Sequence, residues 1–196
     1  LRLLDAGGAE VPCQASPLSR YADGSLRAVL LVFLSPLLKD NPRPYTVEFG
    51  PGVSRKAAPA APVKVAEAKG AVTVDTGVLQ LRLGGDSGLL SGVAAGGREI
   101  LRGGLCPFVQ EAGQQGLLSS ARVEVTVEER GPLRAVVLVK GRFGPSAASG
   151  SGDPAPGAHG WQARVHAYAG TGLVRVQHTV LGQDGKKPLE LAGWGL

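Results

Sequence analysis

The chain has no methionine and few aromatic residues, which make up 5% of its 196 positions. Because it begins with Leu1, we expect an N-terminus that has been processed, truncated or excised, together with any secretion signal. Nucleic-acid binders cluster Lys and Arg and interleave them with aromatics, whereas the basic residues here are scattered. The net charge of +5 therefore predicts surface solubility and a mild preference for acidic ligands, with no nucleic-acid partner.

Long apolar runs and metal-ligand patterns are also missing. Residues 26–38 form the longest apolar candidate, yet they fall short of the roughly 20 residues that span a membrane. We therefore expect no membrane partner. The two cysteines, Cys13 and Cys106, match no metal site. We interpret them as buried thiols, with a disulfide as the alternative in an exported protein.

Glycine and proline are abundant instead, at 30 and 14 residues, and they predict short strands joined by turns. The run from Leu26 to Leu34 is apolar at almost every position, which predicts a central strand buried on both faces. Residues 51–62 are rich in Pro and Ala and predict a linker. We expect an all-β fold with a small barrel over residues 1–50, this linker, and an antiparallel β-sandwich over residues 63–196. Whether the sandwich is complete at its C-terminal end is left open.

The last hairpin carries the best candidate site. A two-residue turn at Gly170 and Thr171 fixes a register that separates an apolar face from a polar one. The polar face, here called the polar wall, consists of Gln162, Arg164, His166, Tyr168, Arg175, Gln177 and Thr179. Side chains of these types bind sugars and uronates through paired hydrogen bonds and ring stacking. An ordinary solvent-exposed sheet face is the alternative. The candidate substrate-binding residues are Arg164, His166, Tyr168, Arg175 and Gln177.

Other reactive residues are interpreted as structural. His178 falls on the apolar face of the hairpin, which predicts a hydrogen-bonded core histidine, and His159 falls in a loop, where we expect exposure. Asp75-Thr76-Gly77 matches the triplet of aspartic proteases, but that chemistry needs two carboxylates and the triplet occurs once, so a turn is the simpler interpretation. Residues 149–152 lack the strand and helix of a nucleophile elbow. We assign no catalytic residue and expect no cofactor and no metal.

Three stretches together resemble the exo-rhamnogalacturonan lyase family of polysaccharide lyases. They are LSRYADGSLR at residues 18–27, VDTGVL at 74–79, and YAG followed by VRVQHT within 168–179, with Tyr21 standing where the family pattern has Trp. The resemblance implies an N-terminal RIFT-type barrel, a central β-sandwich and a C-terminal α/α toroid that this chain cannot build.

The resemblance therefore implies a non-catalytic N-terminal segment of a secreted or periplasmic polysaccharide lyase-like protein that acts on pectin or rhamnogalacturonan, in which it supports a catalytic toroid domain. Its expected partners are an acidic polysaccharide and a C-terminal catalytic domain of the same chain. Arg164 and Arg175 would then neutralise a uronate carboxylate during β-elimination. The alternatives are a stand-alone carbohydrate-binding or protein-interaction module and a purely structural scaffold.

Overall fold

The computed structural model describes residues 1–36, 43–85, 88–113, 118–145, 159–182 and 190–196. Sixteen β-strands in four antiparallel sheets account for the regular structure in these ranges, which confirms the all-β prediction. In the same ranges, no helix has the length and apolar character needed to cross a membrane. The serine-rich residues 149–152 lie outside the described part of the chain.

The first 50 residues form two small sheets. Their strands are β1 (Arg2–Leu4), β2 (Glu10–Val11), β3 (Cys13–Arg20), β4 (Leu26–Phe33) and β5 (Thr46–Glu48). The first sheet has the order β2-β1-β5, and the second consists of β3 and β4 alone. Among the described residues these strands do not close into the expected barrel.

The prediction that β4 is buried on both faces is wrong. Leu26 is 49% exposed at the start of the strand, and Leu34 is 42% exposed just after its end. The physical reason is that β4 pairs with β3 in a two-stranded sheet and has no second strand beside it among the described residues. An apolar run becomes doubly buried only when neighbours cover both of its faces.

A five-stranded sheet follows, and its strands are neighbours in the same order as in the chain. They are β6 (Lys64–Ala68), β7 (Ala71–Asp75), β8 (Leu79–Gly84), β9 (Leu90–Ala95) and β10 (Arg98–Leu101). A hairpin turn at Gly96-Gly97 joins β9 to β10, where Arg98 pairs with Ala95 and both glycines have positive φ, at 55° and 78°. Such a turn favours glycine at both central positions.

The second large sheet has six strands in the order β15-β14-β13-β12-β11-β16. They are β11 (Phe108–Glu111), β12 (Leu118–Arg130), β13 (Arg134–Pro145), β14 (Gly160–Tyr168), β15 (Val174–Leu181) and β16 (Leu191–Gly195). The two edge strands, β15 and β16, are consecutive among the described strands of the chain although they lie at opposite ends of the sheet.

The two large sheets share one hydrophobic core, which confirms the β-sandwich. Val74, Leu81 and Leu83 of the five-stranded sheet belong to the same buried cluster as Val139 and Trp161 of the six-stranded sheet. Each of these side chains is at most 2% exposed. Burying a side chain of this size contributes on the order of 1.5–3 kcal/mol, so this shared interior is the main source of stability.

Gln14 joins the N-terminal β3 to the sandwich. It is only 6% exposed, and its carbonyl oxygen accepts hydrogen bonds from the backbone N–H groups of Leu133 and Arg134 at 3.1 and 3.0 Å. Its amide nitrogen donates to the backbone oxygen of Arg134 at 3.2 Å and to the carboxylate of Glu129. A side chain at Gly131 would overlap this amide, so the turn between β12 and β13 leaves a place for it.

The segment predicted as a linker is held against the N-terminal sheets. The Glu10 carboxylate accepts hydrogen bonds from the backbone N–H groups of Lys56 and Ala57 at 2.7 and 3.0 Å. These bonds, that of Ala57 first, lower the pKa of Glu10 because they favour its charged form. Arg55 also donates to the backbone oxygen of Cys13 at 2.5 Å. The Pro/Ala-rich composition therefore coexists with a backbone fixed at several points.

Both cysteines lie in described segments and are not joined by a disulfide. Cys13 is buried on β3, as expected for a packed thiol, whereas Cys106 is only half-buried. Burial raises the pKa of the Cys106 thiol, which favours the protonated form over the reactive thiolate.

Candidate functional site

The polar wall lies on β14 and β15 in the predicted register. Trp161 pairs with Val180, Arg164 with Gln177, and the apolar side chains of β14 are fully buried on the inner face of the sheet. The turn differs from the prediction. It is centred on Ala169 and Gly170, and cross-strand pairing starts only at Ala167 and Val174, so the connection is longer than two residues.

β13 extends the polar wall by two exposed cations that sequence reasoning missed. Lys140 pairs with Gln162, and Arg142 pairs with Gly160, so both side chains point to the same outer face. Both are exposed. They were missed because β13 is almost continuously apolar, and only the sheet order reveals which of its residues share a face with β14. The alternation of side chains along β13 was the one available signal.

Arg164 is held in a two-point ion pair with Glu128. Its Nε and one terminal nitrogen lie 2.7 and 2.8 Å from the two carboxylate oxygens. The hydrogen bonds to Glu128, and then its charge, raise the pKa of the Arg164 guanidinium. Because Arg164 is on β14 and Glu128 on β12, the pair must cross β13. This crossing explains why Val136 and Leu138 on the outer face are only 5% and 7% exposed.

The remaining members of the polar wall differ in how engaged they are. His166 and Gln177 are hydrogen-bonded to each other, with Nε2 and Oε1 2.8 Å apart. Tyr168 is half-buried, and its backbone oxygen accepts from the Thr171 hydroxyl at 3.3 Å. Arg175 is exposed and makes no hydrogen bond or ion pair to another described residue. Of the five predicted contact residues, Arg175 is therefore the cation with the least competition for an incoming anion.

The other two histidines lie on the inner side of the sheet. His178 contacts the rings of Trp161 and Trp194, each with a centroid separation of 5.9 Å. Desolvation lowers its pKa. The expected inward placement is confirmed, but neither ring nitrogen has a hydrogen-bond partner among the described residues, so the expected hydrogen bond is not found there. The prediction of an exposed His159 is wrong, because its backbone is held next to β13 by a 2.9 Å hydrogen bond from Phe143 and the residue is half-buried.

The triplet Asp75-Thr76-Gly77 is a turn that links the two large sheets. Asp75 caps the turn by accepting from the N–H of Gly77 at 2.8 Å. The buried Thr76 donates its hydroxyl to the backbone oxygen of Thr171 at 2.9 Å and accepts from the N–H of Gly170 at 2.7 Å through its own carbonyl. Two of the stretches that carry the family resemblance therefore meet here, and the contact is structural.

Replacing Thr76 with valine is expected to destabilise the protein by about 2 kcal/mol. The change keeps the side-chain shape but leaves the oxygen of Thr171 and the N–H of Leu79 without their partner, and each unsatisfied buried group costs about 1–3 kcal/mol. Urea unfolding would measure it. The control is Thr126→Val at an exposed position of β12, where we expect a change within about 0.5 kcal/mol. Equal effects at both positions would contradict the linking role of Thr76.

Two cavities accompany these features, and neither contains a member of the polar wall. A largely apolar cavity of about 350 Å³ lies between the N-terminal sheets and the sandwich, lined by residues that include Pro12, Leu34, Leu133 and Ala169. A smaller polar groove of about 220 Å³ lies beside the Gly96-Gly97 turn. Within the described ranges, no cluster of three or more His, Cys, Asp or Glu side chains is arranged to hold a metal ion.

These observations define the chain as an antiparallel β-sandwich preceded by small accessory sheets. Residues 63–196 match the family model described as the PcRGLX-like protein central beta sandwich domain. The chain belongs to this rhamnogalacturonan lyase-like family. The match covers the sandwich and begins after the N-terminal sheets, so it does not bear on the expected RIFT-type barrel. No curated protein sequence matches the chain.

Proposed function

We propose that the chain is a non-catalytic segment of an exported rhamnogalacturonan lyase-like protein, and that its polar wall contacts acidic polysaccharide. In this proposal residues 1–50 and 63–196 are separate domains, and a catalytic domain follows in the same chain. The observation that carries the polysaccharide contact is the distribution of charge on the outer face of the six-stranded sheet. Membership in the family supports the choice of a pectin-like ligand.

The charge on this face is divided between its two sides. Among the side chains that the structure describes on it, the carboxylates of Glu124, Glu128 and Glu129 belong to β12, whereas the cations belong to β13, β14 and β15. Because Glu128 neutralises Arg164, the cations available to a uronate are Lys140, Arg142 and Arg175. A uronate carboxylate suits the two-pronged guanidinium of Arg175, and the amides and hydroxyls of the wall suit sugar hydroxyls.

Within this proposal Arg164 has a positioning role. Its ion pair with Glu128 spans β13, where Val136 and Leu138 are only 5% and 7% exposed. The half-buried Tyr168 offers an aromatic ring on the same face, four residues further along β14. Truncating Arg164 would therefore affect folding as well as ligand binding, and Arg175 is the cleaner residue to test.

Replacing Arg175 with alanine is expected to weaken binding of an oligogalacturonate about fivefold. This size is expected because Arg175→Ala removes one charged hydrogen bond, whose contribution to binding is reduced by solvent screening at an exposed site. Titration calorimetry in low salt with the full-length protein would measure the dissociation constant. Arg98→Ala is the matched control, because Arg98 is an exposed arginine on a strand of the other large sheet.

An affinity unchanged in Arg175→Ala would contradict the proposal. Equal losses in Arg175→Ala and Arg98→Ala would also contradict it, since they would indicate attraction by net charge alone. A neutral oligosaccharide of the same length serves as the ligand control, and we expect its weaker binding to be insensitive to either change.

A further inference from the structure

An aromatic cluster connects the two opposite edges of the six-stranded sheet. Its members are Trp161 on β14, His178 on β15 and Trp194 on β16. Since β15 and β16 are the outermost strands of the sheet, the 5.9 Å contact between the rings of His178 and Trp194 means that the sheet curls enough to bring side chains of its two edges into contact. Trp194 pairs with the fully buried Val109 on β11, so its ring extends from the inner face.

The cluster is an unusual environment for a histidine. In the described part of the chain, neither nitrogen of His178 has a hydrogen-bond partner, although both atoms are shielded from solvent. Its neighbours on β14 are Ala163, which pairs with it directly, and the fully buried Trp161. A neutral imidazole fits between two indoles, whereas an imidazolium there would hold two N–H donors with no acceptor.

β16 is the weaker side of this contact. Its strand has five residues and pairs with the four-residue β11, with a register shift between Gln110 and Glu111. Trp194 is 61% exposed, so its ring can leave the cluster while losing little buried area. On the other side, Trp161 is 0% exposed and cannot leave without opening the core.

We propose that His178 is a pH-sensitive clasp: neutral, it packs between Trp161 and Trp194 and holds β16 to the inner face, and protonated, it releases Trp194 and β16. The described residues that share this face with it on β14, β15 and β16 carry no charge, apart from the titratable His159 two positions before Trp161. On β11, which pairs with β16, the charged residue is Glu111, two positions after Val109 and paired with Leu191. Nδ1 of His159 is also shielded and has no hydrogen-bond partner among the described residues, so His159 is a competing titratable group in the test.

The direction of the pH effect follows from the burial of His178. Desolvation in the closed state lowers the pKa of His178 below its ordinary value of about 6.5. As the pH falls beneath that value, the open state binds more protons than the closed state, and opening becomes more favourable. The effect stops growing once the pH is below the lowered pKa, because both states are then protonated.

Hydrogen exchange of the backbone amides of β16 provides the test. Between pH 7.5 and pH 5.0, after correction for the chemical exchange rates, we expect exchange in β16 to become about tenfold faster, while β13 and β14 stay protected. In His178→Phe the ring still packs between the indoles but cannot be protonated, so the β16 amides should keep a constant protection. In His159→Gln the pH response should remain.

Tryptophan fluorescence gives a second readout, because the chain contains only two tryptophans and both are in the cluster. In Trp194→Phe the remaining Trp161 should report the titration of His178, as a sigmoidal change that His178→Phe abolishes. This readout also serves if one of the histidine variants folds poorly.

Three results would overturn the proposal. The first is a pH response of β16 that persists in His178→Phe, and the second is one that disappears in His159→Gln. The third is increased protection of β16 at low pH, which would mean that cation–π attraction holds the imidazolium between the indoles. None of these measurements depends on polysaccharide binding, so failure here leaves the proposed function intact.

Discussion

Replacing Gln14 with alanine is expected to lower the free energy of unfolding by about 3–5 kcal/mol. The change removes the acceptor for two backbone N–H groups, those of Leu133 and Arg134, and a donor to Glu129. Each buried polar group left without a partner costs about 1–3 kcal/mol, and the cavity adds to this cost. Arg134 and Glu129 also form an ion pair, and their side chains are only 16% and 19% exposed. Water therefore does not readily replace the hydrogen bonds that Gln14 made.

Urea unfolding followed by circular dichroism would measure the Gln14→Ala effect. Gln80→Ala is the matched control, since Gln80 is an exposed strand residue whose truncation should change stability by less than about 0.5 kcal/mol. A loss below about 1 kcal/mol in Gln14→Ala would show that β3 is not anchored through this amide.

Replacing Gly141 with alanine is the second large change, with an expected loss of about 2–3 kcal/mol from overpacking. A methyl group at this position would lie 2.6 Å from three ring atoms of Trp161, which is far closer than a normal contact. The ring cannot move aside easily because Trp161 is 0% exposed and packs against His178. Glycine is therefore required at this point of β13 so that the facing strand can lay an indole across its backbone.

Thermal unfolding would measure the Gly141→Ala effect, with an expected fall in Tm of about 4–12 °C for a chain of this size. Gly160→Ala is the control. Its methyl group would lie 3.5 Å from Leu181, an ordinary contact, and Gly160 is adjacent to Trp161 in the same strand. Similar Tm values for the two variants would contradict the close approach of Trp161 to Gly141.

The parts of the fold that were predictable are those set by nearby residues. The register of β14 and β15 follows from alternation around one short connection, and the pairing of Arg98 with Ala95 follows from Gly96-Gly97. In both cases the partners are close in sequence. The predicted turn at Gly170 and Thr171 was wrong in detail, yet the predicted register is correct because alternation alone fixes which side chains face the core.

The features that could not be predicted depend on strand order. The pairing of Arg164 with Glu128 depends on the sheet order, in which β13 lies between their strands. A register shift in β12 next to Glu128 also changes which of its side chains face outward. Nothing in the local sequence marks Gln14 as the partner of residues about 120 positions later. The apolar run of β4 indicated burial, but burial requires neighbouring strands, and the local sequence does not show which strands those are.

The short strands β6, β11 and β16 have no clear signal in the local sequence. β16 contains two glycines among its five residues and has little strand character of its own, so it forms by pairing with β11. The family resemblance was more informative than the local pattern for the sandwich, and the match over residues 63–196 supports it. For the polar wall, the sequence identified the right face but not the pairing that occupies Arg164.

The pairing of β11 with β16 also has a consequence for biosynthesis. β11 ends at Glu111, but among the described strands the one that covers its outer edge is Leu191–Gly195, so a growing chain at the ribosome carries that open edge through the synthesis of about 80 further residues. During this interval the edge can template pairing with another nascent chain. A chaperone that shields exposed strands would therefore protect this edge of β11 until β16 has been synthesised.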